Sequence, residues 1–158
     1  SQVPIAVGSC FASKKPTIVF VGDSAAEEDY VLSALGWAVT KNLPILFIVE
    51  DNDLSILTEK RVRRSWEMHE VAKGFGLEAY NISDDPIEIK DNMKNAFNEP
   101  LLLNINTKRK YWHAGAGDDG EVFDRYEYEK KRIGIKAFEI DKKNKMIVEQ
   151  AWKKQLEK

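Results

Sequence analysis

Thr17-Ile18-Val19-Phe20-Val21-Gly22-Asp23-Ser24 and Leu43-Pro44-Ile45-Leu46-Phe47-Ile48-Val49-Glu50-Asp51-Asn52 decide the fold. In each, an apolar run rich in β-branched residues breaks off at a carboxylate or an amide. That is the pattern of a strand covered on both faces and ending at a polar crevice. Between them, Ala25 to Asn42 carries Ala26, Tyr30, Leu32, Ala34, Leu35, Trp37, Ala38 and Val39 at helical spacing, so the segment reads as a β-α-β unit. Parallel strands open their carboxyl ends on one side of the sheet. Asp23 and Asn52 can therefore meet there, and such a pair of hard oxygen donors suits Mg²⁺ carrying a phosphate ligand.

The pattern extends in both directions. Pro4 suits the first turn of a helix running to about Ser13, ended by Lys14-Lys15-Pro16. Glu78 to Ile82 and Leu101 to Ile105 read as a second strand pair, joined by a helix from about Asp85-Pro86 to about Phe97. Trp66 to Gly74 reads as another helix. Alternating strands and helices with short connections predict a doubly wound α/β domain over residues 1–120, with a mostly parallel sheet flanked by helices. Ala114 to Gly120 is expected to be a mobile loop. A charged helical tail over 121–158 follows in two pieces, Asp124 to about Lys136 and Lys142 to about Leu156, with Ile147, Ala151 and Trp152 as its apolar stripe.

The composition fits one globular domain: 158 residues, 43% of them apolar. With 24 basic and 26 acidic side chains the net charge is −2, which argues against nucleic acid or an anionic membrane as the main partner. The basic runs Lys60-Arg61-Val62-Arg63-Arg64 and Lys108-Arg109-Lys110 read mostly as a solvated face. The single cysteine, Cys10, forms no internal disulfide, reads as a small buried helix residue, and fits a reducing cytoplasm or organelle matrix. No stretch has the length and apolarity of a membrane span or a signal peptide. The chain opens on Ser1, and Gln2 to Gly8 already reads like a domain interior, so a fragment, a processed chain or one piece of a split subunit is expected.

Three groups of residues carry the chemistry. Gly22 allows close backbone approach, and Asp23 can bind a metal while the amides after it face a phosphate, although Gly-Asp alone is more often an ordinary turn or helix cap. Ser24-Ala25-Ala26-Glu27 spells a capping box, and Glu27 is either that cap or a ligand. Thr107 to His113 follows a strand and supplies Arg109, suited to bidentate phosphate binding, and His113, an imidazole able to donate a hydrogen bond or a proton. His69, in a charged helix, reads as structural.

The order Gly22-Asp23-Ser24-Ala25-Ala26, crossover helix, Lys41-Asn42-Leu43-Pro44, apolar strand, Glu50-Asp51-Asn52 resembles the pattern by which thiamine diphosphate enzymes hold their cofactor through a divalent metal. The Arg109-x-x-x-His113 pattern after a strand narrows this to the alpha subunit of the 2-oxo acid dehydrogenases, the E1 component. The resemblance implies thiamine diphosphate and Mg²⁺ as cofactors. It makes the Asp23 and Asn52 side chains and the Leu54 carbonyl the metal ligands. Gly22, Asp23, Ser24, Ala25, Glu27, Asn52, Arg109 and His113 would contact the cofactor, with His113 also catalytic.

It further implies decarboxylation of a 2-oxo acid and acyl transfer, an isolated chain that is inactive, a beta-type pyrimidine-binding partner subunit, and a lipoyl-bearing acyltransferase beyond it. The family usually carries Gly, Asn and Asn where this chain has Ser24, Glu27 and Asp51, and a phosphorylatable Ser where it has Ala114. Two alternatives stand beside this reading: the first half of a split transketolase-like enzyme, suggested by Asn52 to Ile56, and a non-catalytic scaffold relative, suggested by Ser24 and Glu27.

Overall fold

A computed structural model describes residues 2–111, 113 and 121–157. The loop expected over Ala114 to Gly120 lies outside the described residues, as does Trp112. The chain forms two compact units, Ser1–Val122 and Phe123–Lys158.

In the first unit four parallel strands form one sheet, β1 (Thr17–Gly22), β2 (Ile45–Asp51), β5 (Glu78–Ser83) and β6 (Leu101–Asn106), in the order β1-β2-β6-β5. Strand β2 is buried along Ile45 to Val49, as its unbroken apolar run requires. Its alternate side chains feed two cores. Ile45, Phe47 and Val49 pack with Val3, Val7 and Cys10 of α1 (Gln2–Ser13), with Val31, Ala34, Leu35 and Ala38 of α3 (Asp29–Thr40), and with Met68 and Ala72 of α5 (Met68–Gly74). Leu46 and Ile48 join Ile82, Leu101, Leu103 and Ile105 on the other face, against Ile89 of α6 (Pro86–Asn92) and Met93 and Phe97 just beyond it. The α6 start follows the expected chemistry, with Pro86 in its first turn and the Asp85 carboxylate accepting from the Ile87 amide at 2.8 Å.

The sheet register sets the site. Gly22 pairs with Glu50 and Asp51 with Asn106, so β1, β2 and β6 end at a common level. Asp23 and Asn52, one residue beyond neighbouring strand ends, are thereby carried to the same edge.

Four expectations need correction. Within this unit strand β1 is covered on one face only: Ile18 is 46% and Phe20 55% exposed, because α6 packs on β5 and the core of that face gathers on β2, β5 and β6. The helix expected from Ala25 to Asn42 is two, α2 (Asp23–Ala26) and α3, parted at Glu27 and Glu28. No capping box forms. Gly22 is the cap residue of α2 and makes no side-chain bond, which puts Ser24 inside the turn, where its carbonyl accepts from the Glu27 amide at 3.2 Å. Finally, the helix after Pro86 stops at Asn92, and Phe97 adopts φ +72°.

Between β2 and α5 lie elements the periodicity did not show: a two-stranded hairpin of β3 (Leu54–Ser55) and β4 (Thr58–Glu59), then a single helical turn, α4 (Lys60–Arg63).

The second unit is a helical pair, α7 (Arg125–Ile133) and α8 (Ile135–Leu156). Asp124 caps α7 through the Glu127 amide at 3.0 Å. The break falls at Gly134, at φ +78°, instead of between Lys136 and Lys142, since only glycine there tolerates that backbone. Ile147 and Trp152 are exposed, so the expected stripe forms no core within this unit.

Candidate functional site

A cavity of about 570 Å³ opens at the carboxyl end of the sheet, lined by Gly22, Asp23, Ser24, Ala25, Glu28, Glu50, Asn52, Leu54, Ser55, Ile56, Thr107, Lys108, Arg109 and His113. All the residues expected to hold the metal or cofactor line it except Glu27. Its lining is acidic at the ends of β1 and β2, with Asp23, Glu28 and Glu50, and basic beyond β6, with Lys108, Arg109 and His113.

The turn after β2 is held by its own side chains. The Asp51 carboxylate accepts from the Asp53 amide at 3.1 Å, and the Asn52 side-chain oxygen accepts from the Leu54 amide at 3.1 Å. Asp53 and Ile56 adopt φ +65° and +55°, a conformation that costs a β-branched residue such as Ile56 of order 1 kcal/mol or more. Arg109 secures that bend by donating to the Ile56 carbonyl at 2.8 Å, which ties the basic lining to the hairpin.

Joined to the acidic lining is an ionic cluster the sequence reading missed. Lys60, Arg63 and Arg64 belong to the run read as solvated, yet their side chains are only 17%, 13% and 2% exposed. Only Arg61 and Val62 of that run face solvent as expected. Arg63 spans two carboxylates, donating from one guanidinium nitrogen to Asp23 and from the other to Glu27. Arg64 lies 3.4 Å from Glu27 and 3.6 Å from Asp51, donates to the Asp23 carbonyl at 3.5 Å, and stacks its guanidinium 4.8 Å from the Trp66 ring centre. Lys60 bonds Asp51 at 2.9 Å and Glu67 at 3.2 Å. Behind Asp51, Asn104 donates to its carboxylate at 3.2 Å and to Asn81 at 2.9 Å, linking β2, β6 and β5.

The one sequence signal is that Lys60, Arg63 and Arg64 stand three and four residues apart, which puts them on one side only if a helical turn, too short to show a period, forms there. His69 is held against Glu70 at 3.0 Å, outside the cavity lining, in keeping with a structural role.

Burial works to raise the Asp51 carboxyl, but the Lys60, Asp53 and Asn104 hydrogen bonds and the Lys60 charge outweigh it and hold it below the ordinary value of 3.8. Lys60 is likewise pressed down by burial and carried, on balance, above 10.5 by Asp51 and Glu67. The signs fix the pH window. A depressed carboxyl contributes stability above its unfolded value and loses it as pH falls through the folded one; a raised amine does so below its unfolded value and loses it as pH rises. The stability gap between the wild-type chain and Asp51→Asn should therefore be flat from about pH 5 to 9 and narrow only below about 4 and above about 10.5. Thermal unfolding across pH measures it, and a gap that closes near pH 6 would contradict the assignment.

Among the described residues no group of three or more His, Cys, Asp or Glu could hold a metal. A metal here would need a mixed set; Asp23, Asn52 and Leu54 line one cavity and carry oxygen atoms of that kind. Hard oxygen donors few in number fit Mg²⁺, which keeps waters and takes ligand phosphates for the rest. One Asp23 oxygen is already engaged by Arg63.

The profile of the Dehydrogenase E1 component family matches residues 1–158. The chain belongs to this family. Among its relatives, the pyruvate dehydrogenase E1 component subunit alpha of Rickettsia bellii is 31% identical over 72% of the chain and 39% of its own length. The mitochondrial 2-oxoisovalerate dehydrogenase subunit alpha of Caenorhabditis elegans is 27% identical over 96% of the chain and 38% of its own length. The chain thus spans about two-fifths of these relatives. Among solved structures, transketolase from Campylobacter jejuni superposes with a TM-score of 0.62 at 21% identity, covering 66% of this chain and 19% of that one. A putative thiamin diphosphate-dependent enzyme from Mycobacterium smegmatis gives 0.58 at 22% identity, covering 68% and 22%. These two similarities establish the fold of the E1 chain. No described helix of the chain is long and apolar enough to cross a membrane.

Proposed function

We propose that this E1 chain is the diphosphate- and Mg²⁺-holding half of a thiamine diphosphate-dependent 2-oxo acid dehydrogenase of the alpha type. The observation that carries the reading is the cavity with acidic and basic lining, opening where β1, β2 and β6 end together. A metal-bound diphosphate would need both kinds of group, oxygen donors for the metal and cationic donors for the phosphates. In this reading Asp23 and Asn52 give side-chain oxygens and Leu54 its carbonyl to the metal. Gly22, Ser24 and Ala25, which also line the cavity, would contact the cofactor. Arg109 and His113 meet the diphosphate, and His113 holds or passes a proton at its imidazole. When bound, the cofactor supplies the electron sink for decarboxylation. Glu27 acts from below, by holding Arg63.

By its likeness to the alpha-type relatives, the chain would need a pyrimidine-binding, beta-type partner, with a lipoyl-bearing acyltransferase as the acyl acceptor. The chain co-expressed with such a partner should oxidatively decarboxylate a 2-oxo acid, with pyruvate and 2-oxoisovalerate as the first substrates to test, and should be inactive alone. An assembled pair that binds cofactor but turns over no 2-oxo acid would leave a scaffold relative as the better reading.

A further inference from the structure

We infer that Arg63 is an internal cation seated on one oxygen of the metal carboxylate, so that its guanidinium competes with Mg²⁺ for Asp23. This rests on the metal-diphosphate reading of the cavity and adds the residue that sets its metal affinity. The geometry is a fork: one guanidinium nitrogen on Asp23, the other on Glu27, with all three side chains largely buried. Such a pair is charge-assisted and shielded from solvent, so it competes with a metal for the same oxygen. A dication arriving at Asp23 would also face a buried like charge.

The surroundings allow the guanidinium to move off. Arg63 Nε is buried without an acceptor among the described residues, so the guanidinium gives up an incompletely satisfied seat. Glu27 would not be left alone, because Arg64 stays 3.4 Å from it. Arg64 is the more deeply buried of the two and lies over Trp66, whereas Arg63 is the one whose guanidinium sits on the Asp23 carboxylate and is therefore the direct competitor of a metal there. Glu27 completes the fork. The family's usual Asn at this position would offer a neutral oxygen in place of a charged anchor, and Arg63 would be held less firmly on Asp23.

The test is calorimetric titration of Mg²⁺ into the full chain, first alone and then with inorganic diphosphate present, for the wild type, Arg63→Gln and Glu27→Gln. If only about one molecule in ten has Asp23 free, removing the competitor tightens Mg²⁺ binding about tenfold in Arg63→Gln. Glu27→Gln, which keeps Arg63 but weakens the fork, should shift affinity in the same direction by less, and remains informative if Arg63→Gln fails to fold. Mg²⁺ should also raise the Tm of Arg63→Gln more than that of the wild type. Equal Mg²⁺ affinity in all three chains would overturn the competition while leaving the site reading intact. Weaker binding in the variants would show that Arg63 supports the metal site, and would overturn it too. No Mg²⁺ binding by any of the three, even with diphosphate present, would overturn the metal-diphosphate reading and this inference with it.

Discussion

Asn52→Ala should lower the Mg²⁺-dependent affinity for thiamine diphosphate by about a hundredfold or more, since even outer partners of metal ligands cost 10–100-fold when removed. Asn52 is the cleaner of the two ligand tests. Its side-chain oxygen accepts from the Leu54 amide but takes part in no ion pair, so its removal leaves the charge of the cluster unchanged. Asp23→Ala should abolish metal-dependent binding as well, but it also frees Arg63, which could then hold an anion without metal. The two variants should therefore differ in one respect: residual diphosphate binding in Asp23→Ala is independent of Mg²⁺, whereas any that remains in Asn52→Ala still requires it. Titration with and without a chelator reads both. Unchanged affinity in Asn52→Ala would remove it from the ligand set.

The largest loss of folding stability is expected at Arg64. Its side chain is 2% exposed and meets Glu27, Asp51 and the Asp23 carbonyl. Breaking a buried ion pair by deleting one partner leaves an uncompensated charge, so Arg64→Met should cost about 3–5 kcal/mol. Lys60 still pairs with Asp51 at 2.9 Å, which favours the lower end. Denaturant unfolding gives the number. A loss below about 1 kcal/mol for the single variant would mean that the cluster is solvated and contributes like a surface pair.

Why the sheet was legible and the ionic cluster was not has a physical answer. Strand β2 is buried on both faces, so its unbroken apolar run could be read directly, and β1 with β2 placed Asp23 and Asn52 at one edge before any coordinates. Strand β1 misled in part, because Ile18 and Phe20 have the same composition as buried residues while facing solvent in this unit. Composition records what a side chain prefers and says nothing of which neighbours are present to cover it. The capping box failed for a related reason. Ser24 to Glu27 has the right spacing, but the helix begins one residue too early, at Asp23, and Glu27 finds stronger partners in Arg63 and Arg64. Those arginines come from a helical turn after a two-stranded hairpin, and both elements are too short to show a period. Arg109 and His113 could be found because they follow β6 directly; that Arg109 also holds the Ile56 carbonyl depends on a backbone bend no pattern announces.

The central claim is that the cavity between Asp23 and Arg109 holds a diphosphate through a metal. Calorimetric titration of thiamine diphosphate into the full chain, once with Mg²⁺ and once with a chelator, tests it most directly. The account predicts saturable, equimolar binding with Mg²⁺ that is lost in chelator and weakened by Asn52→Ala. Binding of equal strength in both solutions, or none at saturating Mg²⁺, would contradict it.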